Sequence, residues 1–265
     1  MGEEHGIPIR ALALTSERIA KYIDSQLERG YKPATINRTL QILGQAFRLA
    51  KLPSPSIPHL SEKGNERRGF FEDADILAVL ANLRLADADL ADFCEWAWLT
   101  GQRKKEIASL RWADLEGDTL RLTADNAKNR TARDIPITGE RLIAIIERRR
   151  FARNVKQTDG TVKLTDLIFH RAGRPVQDFR DSWATACKLA GVHGRICHDL
   201  RRTAARNLLL AGVRREVAKQ ITGHKTDSMF NRYTFPTAAD LRNAMEAVQA
   251  RPMQAARAAN LERVQ

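Results

Sequence analysis

The amino-acid sequence predicts a mainly α-helical protein with a small β-hairpin or three-stranded sheet, an α+β fold, and three observations lead to that prediction. Apolar residues recur at three- and four-residue intervals through most of the chain, as on one face of a helix. Residues 118–138 instead alternate apolar and polar residues on both sides of a polar turn, which is typical of paired strands. The 265 residues are 43% hydrophobic and 29% charged, so the chain can bury the core of one large domain or two smaller ones.

Two amphipathic helices are predicted at the start of the chain, in "TSERIAKYIDSQLERG" and "ATINRTLQILGQAFRLA". Their apolar faces consist of Ile19, Tyr22, Ile23 and Leu27 in the first segment and Ile36, Leu40, Leu43 and Phe47 in the second. We therefore expect Tyr22 to lie in a core. Residues 1–52 are predicted to form a small helical platform. An extended linker is predicted at residues 53–68, where three prolines are followed by mixed charges.

A second, larger domain is predicted over residues 69–250, with a C-terminal tail at residues 251–265. Helical spacing or helix-forming composition occurs in "FEDADILAVLANL", "ADFCEWAWLT", "RKKEIASLRWADL", "GERLIAIIERRR", "DFRDSWATACKLAGV", "HDLRRTAARNLLLAGV" and "RREVAKQI". The alternating segment "DTLRLTADNAKNRTARDIPIT" interrupts these helices and is predicted to be the hairpin or three-stranded ribbon.

The charge balance indicates a polyanionic partner. Lysine and arginine outnumber aspartate and glutamate by 44 to 32, and the formal net charge is +12. Nucleic acid is the expected partner, although a solvated basic surface gives the same surplus. No stretch approaches the roughly 18 apolar residues of a membrane helix, and the start "MGEEHGIPIR" lacks the apolar core of a signal peptide. We expect a cytoplasmic, nucleoid-associated protein with no membrane partner.

The three cysteines do not indicate a disulfide framework or a metal site. Cys94, Cys187 and Cys197 are odd in number and lack the spacing of metal ligands. Cys197 precedes His198 directly, but adjacent residues of a helix face different directions. We expect reduced thiols, and neither a metal nor a cofactor is predicted.

Two pairs of polar residues stand at predicted helix starts. Arg103 and Glu106 are three residues apart after a Thr-Gly break, and His198 and Arg201 have the same spacing ahead of an apolar run. Each pair has a structural explanation, as a surface ion pair or as the polar start of a helix. The second pair also places an imidazole beside a guanidinium above a core, which suits catalysis.

Five segments, in this order, resemble one family closely: "TGQRKKEIASLRWADL", "AKNRTARDIPI", "HDLRRT", "ITGH" and "MFNRYT". They are similar to the motifs of the catalytic domain of the tyrosine recombinases, or phage integrases, over residues 70–243. The resemblance implies the tyrosine recombinase catalytic fold for residues 69–250 and a partial core-binding domain for residues 1–52. It also implies a site: Arg103 and Arg201 as phosphate-binding arginines, Lys128 as the hairpin lysine, His198 and His224 as active-site imidazoles, Tyr233 as the nucleophile and Glu106 as a supporting acid.

These residue types suit phosphodiester chemistry. The transition state gathers negative charge on its non-bridging oxygens, and two guanidiniums can bind those oxygens in bidentate fashion without a metal. A tyrosine hydroxyl, with an ordinary pKa of about 10, needs nearby cations and a base. His198 is the candidate base, Lys128 the candidate acid for the departing 5′ oxygen, and His224 a candidate donor to a phosphate oxygen.

Two of these assignments have alternatives in the sequence. Arg130 and Arg133 lie in the same turn as Lys128, but lysine is the better proton donor because arginine stays protonated. His224 has a structural explanation as the residue that ends the helix "RREVAKQITG". Thr222 stands where the family often has leucine, a change expected to affect packing more than chemistry.

The leading functional hypothesis is site-specific recombination, in which strands are cut and rejoined through a 3′-phosphotyrosyl intermediate within a homotetramer on DNA. Accessory DNA-bending or directionality proteins are possible partners, and ATP is not needed because the covalent link keeps the bond energy. The alternatives are a type IB topoisomerase-like nicking-closing enzyme and a non-catalytic DNA-binding regulator. Two helices precede the linker where family members carry a larger core-binding domain. Either the chain is a truncated gene product or it holds DNA with an incomplete clamp, and in both cases strand cleavage is a firmer expectation than full recombination.

Overall fold

The computed structural model describes residues 11–62, 69–122, 132–227, 230, 238–239, 241–246 and 248–249. The chain divides into two compact units, Met1–Arg67 and Arg68–Gln265. Within the described ranges, no helix combines the length and the apolar character needed to cross a membrane.

The first unit is built on two helices, α1 (Ser16–Glu28) and α2 (Pro33–Leu49). Its small core consists of Ile19, Ile23, Ile36 and Leu40. The prediction that Tyr22 lies in the core is wrong, because its side chain is 36% exposed. Ile19 and Ile23 stand one turn apart and fill the narrow contact with α2, so a residue beside that stripe remains at its edge.

The segment after α2 is tied back to that helix. Residues 52–62 have no regular secondary structure. Asn37 donates from Nδ2 to the carbonyl of Leu60 at 2.9 Å and accepts the Leu60 amide on Oδ1 at 2.9 Å. One side-chain amide thus satisfies both main-chain groups of Leu60, which leaves the segment ordered without a helix or strand.

The second unit is mainly helical, as predicted. Its helices are α3 (Asp73–Ala86), α4 (Ala88–Thr100), α5 (Lys104–Ser109), α6 (Glu140–Ala152), α7 (Arg180–Leu189), α8 (His198–Leu210) and α9 (Arg215–Thr222). The prediction ran too long for α5. After Ser109 the chain extends and pairs with a neighbouring segment, through hydrogen bonds from Ile168 N to Leu110 O and from Trp112 N to Asp166 O, which end the helix.

A three-stranded antiparallel sheet consists of β1 (Leu115–Glu116), β2 (Thr119–Leu122) and β3 (Arg133–Pro136), in that order. The predicted alternating segment supplies β2 and β3. Leu120 pairs with Ile135 and Leu122 pairs with Arg133. Four further short strands form two hairpins that the sequence patterns do not predict: β4 (Asn154–Lys156) with β5 (Val162–Leu164), and β6 (His170–Arg171) with β7 (Arg174–Pro175).

Helix α4 is the centre of the second unit. It packs against α3, α6 and α8, and Phe93 and Trp96 are fully buried among aromatic rings such as Phe169, 6.0 and 5.4 Å away between ring centroids. A helix buried on nearly all sides carries apolar residues around most of its circumference, as α4 does in "FCEWAWL", and its buried Glu95 is paired with Arg141. Its carboxyl end is therefore held in a fixed position, and the candidate site lies there.

Candidate active site

Arg201 is held by the carboxyl ends of two helices. Its side chain is buried, and Nη1 donates to the carbonyl of Gly101, just past α4, at 2.6 Å and to the carbonyl of Thr222, the last residue of α9. The last carbonyls of a helix have no partner within the helix and lie at the negative end of its dipole. Both properties favour a cation, so the main chain fixes the guanidinium of Arg201.

Arg103 is held in a similar way at the start of α5. Nη2 donates to the carbonyl of Gly223, directly after α9, at 3.0 Å. Nη1 donates to Glu106 Oε1 at 2.9 Å, while the Arg103 amide donates to Glu106 Oε2 at 3.0 Å. Glu106 therefore caps the first turn of α5 and orients the Arg103 side chain at the same time.

Glu106 also binds a second arginine. Arg133 lies on β3 with little exposure and donates from Nη2 to Glu106 Oε2 at 2.7 Å. Burial of Glu106 raises its pKa, but the charge of Arg133 and the hydrogen bonds from Arg133 and Arg103 outweigh burial, so the pKa is lowered from its ordinary 4.5. The carboxylate stays ionised and joins the sheet to the start of α5.

The cluster carries an excess of positive charge. Arg103, Arg133 and Arg201 contribute three guanidiniums, and Glu106 contributes a carboxylate that contacts the first two. An enclosed excess of positive charge attracts an anion, and planar guanidiniums suit the oxygens of a phosphate group.

His198 is the first residue of α8, one turn before Arg201. The residue is exposed, yet protein atoms around the ring desolvate it, and this effect and the charges of Arg201 and Arg202 lower its pKa from 6.5. The imidazole is therefore neutral near pH 7, the state in which it can accept a proton.

His224 lies two residues after the end of α9. It is 4% exposed, and its ring meets the ring of Phe230 edge to face, with centroids 5.4 Å apart. Nδ1 lies 2.7 Å from Thr222 Oγ1. Burial, followed by the charges of Arg201 and Arg103, lowers the pKa of His224 to about 3.

Two left-handed glycines allow the helix ends to approach the arginines. Gly101 (φ 64°) follows α4 and Gly223 (φ 71°) follows α9, both in the left-handed backbone conformation. Residues with a side chain adopt this conformation only at a cost in free energy. A Cβ atom on Gly101 would lie 2.9 Å from Thr222 Cγ2, and one on Gly223 would lie 2.3 Å from Arg133 Nη1. Glycine is required at both positions for backbone conformation and for space.

Five of the seven residues predicted as site residues lie within the described part of the chain, namely Arg103, Glu106, His198, Arg201 and His224. Direct hydrogen bonds and mutual electrostatic effects on the pKa values connect them in one cluster. Lys128 and Tyr233 lie outside the described residues. Among the described residues, no group of His, Cys, Asp and Glu side chains is arranged to hold a metal ion.

Two residues of the cluster are not identified by the sequence patterns. The sequence offers Arg133 as an alternative to Lys128 for the role of proton donor. In the structure Arg133 instead contacts the carboxylate of Glu106. A signal was present: strand alternation puts Arg133 on the same buried face as Ile135, and a charge on a buried face needs a partner. Thr222 was expected to affect packing, but its hydroxyl contacts His224.

A family model of the phage integrase family matches residues 70–239, well over half of the chain. The chain belongs to the phage integrase family. Members of this family cut and rejoin DNA strands, so the predicted family and enzyme class are confirmed. A comparison with curated protein sequences finds no match.

Solved structures of related enzymes share the fold. A lambda integrase tetramer bound to a Holliday junction has a TM-score of 0.70 at 19% identity, over 87% of this chain and 67% of that chain. A lambda integrase(75-356) dimer bound to a COC′ core site has a TM-score of 0.71 at 20% identity, over 88% and 84%. The Tn1549 transposon integrase in complex with circular intermediate DNA has a TM-score of 0.67 at 17% identity, over 89% and 86%. The predicted fold is confirmed.

Replacement of Gly223 by alanine tests the packing of the cluster. Gly223→Ala adds a Cβ that displaces Arg133 from Glu106, whereas Gly212→Ala, at φ 76° with no atom within 4 Å, adds backbone strain alone. In both variants the free energy of unfolding should fall by about 1–2 kcal/mol, because alanine is strained in the left-handed backbone conformation. Gly223→Ala should lose more stability and should cleave DNA about 10²-fold more slowly, because a small displacement of a positioning group has that effect. Equal melting temperatures and equal cleavage rates would contradict this packing.

The pKa of Glu106 predicts a pH-dependent loss of stability. A folded pKa below 4.5 means that the ionised carboxylate stabilises the protein fully above that value and less as the pH falls through the folded pKa. Glu106→Gln removes the carboxylate that contacts Arg103 and Arg133, and it should lower the free energy of unfolding by about 3–5 kcal/mol at neutral pH. The part of this difference that depends on the charge of Glu106 should shrink in acid.

Glu147 provides the control, because it forms an exposed ion pair with Arg150. Glu147→Gln should change stability by less than about 1 kcal/mol. Urea unfolding of both variants between pH 3 and about pH 7 measures the two effects. A loss in Glu106→Gln that does not vary with pH would show that the carboxylate is not held in its charged form.

Proposed function

We propose that this chain recombines double-stranded DNA at specific sites, with Tyr233 as the nucleophile. Its hydroxyl oxygen attacks the scissile phosphorus, a 3′-phosphotyrosyl bond forms and the 5′ oxygen leaves. A 5′ hydroxyl of a second strand then attacks the same phosphorus and releases the tyrosine. Because each step exchanges one phosphodiester bond for another, no ATP and no cofactor are required.

One observation carries the proposal: the guanidiniums of Arg103 and Arg201 are fixed by main-chain carbonyls around the same helix ends. Gly223 O binds Arg103, while Gly101 O and Thr222 O bind Arg201. Catalysis of phosphoryl transfer depends on charges that are in place before the reaction begins, because reorientation during the reaction costs free energy. Rigid guanidiniums beside a phosphate can stabilise its developing negative charge without further rearrangement.

The two imidazoles supply different functions in this proposal. His198 is neutral near pH 7 and accepts the proton of the Tyr233 hydroxyl. His224 hydrogen-bonds a phosphate oxygen, and Lys128 protonates the 5′ oxygen that leaves. Glu106 supports the site by holding Arg103 and Arg133.

DNA binding and assembly follow from charge and from an exposed apolar surface. The net charge of +12 favours a polyanion. Residues 241–246 are helical, and Leu241 and Met245 on one side of this segment are 58% and 60% exposed. We infer that this apolar side packs on a neighbouring protomer in a homotetramer on DNA. Accessory DNA-bending or directionality proteins stay a prediction.

A covalent adduct at Tyr233 tests the proposal. A nicked substrate that loses its short 5′ fragment after cleavage cannot be rejoined, so protein should accumulate on the DNA 3′ end. Tyr233→Phe keeps the ring but removes the nucleophilic oxygen, and it should form no adduct. Tyr31→Phe is the matched control, because Tyr31 is an exposed tyrosine of the first unit, and this variant should form the adduct at the wild-type level.

Denaturing gels measure the adduct, and peptide mapping identifies the linked residue. Because side chains supply the positive charge and the proton transfers, the adduct should form in the presence of a metal chelator. Attachment at another residue, or an adduct with Tyr233→Phe, would contradict the assignment. Absence of any adduct from a protein that binds the DNA would indicate the non-catalytic regulator.

A further inference from the structure

Thr222 connects the end of α9 to His224 through its hydroxyl group. The residue is fully buried. Its Oγ1 lies 2.6 Å from the carbonyl oxygen of Ala218, one turn earlier in α9, and 2.7 Å from His224 Nδ1. Both distances are short for hydrogen bonds, so both contacts require a proton between the heavy atoms. A leucine at this position would offer neither contact.

The contact with Ala218 determines which atom carries the second proton. A hydroxyl has one proton to donate, and a carbonyl oxygen has none. If the hydroxyl proton pointed to His224 Nδ1, two oxygens with lone pairs would face each other at 2.6 Å. The hydroxyl therefore donates to the Ala218 carbonyl and accepts from Nδ1, which must carry a proton.

We propose that Thr222 is a positioning residue that fixes His224 as the Nδ1–H tautomer. In the neutral imidazole, Nε2 then carries a lone pair, and it becomes a hydrogen-bond donor when the ring gains a second proton. Given the proposed function, in which His224 hydrogen-bonds a phosphate oxygen, the binding of that phosphate is coupled to the uptake of a proton by His224.

The charges around His224 explain how this coupling works. The guanidiniums of Arg201 on α8, Arg103 at the start of α5 and Arg133 on β3 act on it, and His198, which is neutral near pH 7, also lies on α8. Burial and the three guanidiniums keep the ring neutral in the free protein, since they disfavour another positive charge. A phosphodiester placed among the arginines brings a negative charge, which offsets them and favours the imidazolium with Nε2–H directed to the phosphate.

Nitrogen NMR of the free protein tests the tautomer without DNA. Long-range ¹H–¹⁵N spectra distinguish a protonated from an unprotonated ring nitrogen, and His224→Gln identifies the signal. We expect Nδ1 to be protonated and Nε2 unprotonated near neutral pH in the wild type and in Thr222→Ser, which keeps the hydroxyl. Thr222→Val keeps the branched shape but removes the hydroxyl, and it should lose the strict preference for Nδ1–H. A wild-type ring with its proton on Nε2, or an unchanged tautomer in Thr222→Val, would overturn the proposal.

Calorimetry of DNA binding tests the coupling. Titrations in buffers of different ionisation enthalpy give the number of protons taken up, and the Tyr233→Phe background prevents cleavage. With Thr222 or with Thr222→Ser, binding should take up more protons per site than with Thr222→Val, in which a neutral Nε2–H can serve as donor, and this excess should grow as the pH falls from about 7 to about 5. Equal uptake in all three proteins would overturn the coupling.

The two measurements separate this proposal from the proposed function. Loss of DNA binding in every variant would contradict the proposed function and the coupling together, while the NMR spectrum by itself decides the tautomer. If Thr222→Val does not fold, the spectra of the wild type and of Thr222→Ser still test the tautomer, because both proteins retain the hydroxyl. A ring proton on Nε2 in either of them would overturn the proposal.

Discussion

The candidate site depends on main-chain carbonyls at the ends of two helices. Gly101 O after α4 and the carbonyls of Thr222 and Gly223 around the end of α9 bind Arg201 and Arg103. Like charges held close together in a protein repel one another, and the repulsion grows as water is excluded. The negative ends of the helix dipoles and the carboxylate of Glu106 offset that repulsion in the free protein. The arginines can therefore stay in position without a bound anion, and a phosphate would encounter a site that is already formed.

Much of the fold follows from sequence periodicity. Seven segments of the second unit become helices because their apolar spacing is sufficient to define a buried face. The two short hairpins after α6 are missed, because strands of two or three residues are too short for a period of two to be recognised. Asp159 and Gly160 in "NVKQTDGTVKL" are a turn signal that could have found the first of them. Tyr22 was misassigned because periodicity defines a face and does not define how much of that face a partner helix covers.

The side chains of the candidate site can be predicted from the sequence, because their residue types suit the chemistry. The main-chain groups that hold those side chains cannot. Arg103, Glu106 and Arg201 stand out by spacing and by resemblance. In the structure Arg103 contacts Glu106, and Arg103 and Arg201 both bind carbonyls around the end of α9. The carbonyl groups that hold the arginines are invisible in a sequence, although the glycines after α4 and α9 indicate helix ends. The contact between Thr222 and His224 could not be foreseen, because it depends on the rotamer of the last residue of α9 and on its distance from a ring two residues further on.

The central claim is that the helix-end carbonyls hold Arg103 and Arg201 in position before and during the binding of DNA. Crystal structures of the free protein and of Tyr233→Phe with a DNA site test it most directly. The account predicts that Arg201 Nη1 stays hydrogen-bonded to Gly101 O and Thr222 O, and Arg103 Nη2 to Gly223 O, while both guanidiniums also bind the scissile phosphate. If either arginine leaves these carbonyls in order to reach the phosphate, or binds them in the complex alone, the claim is wrong.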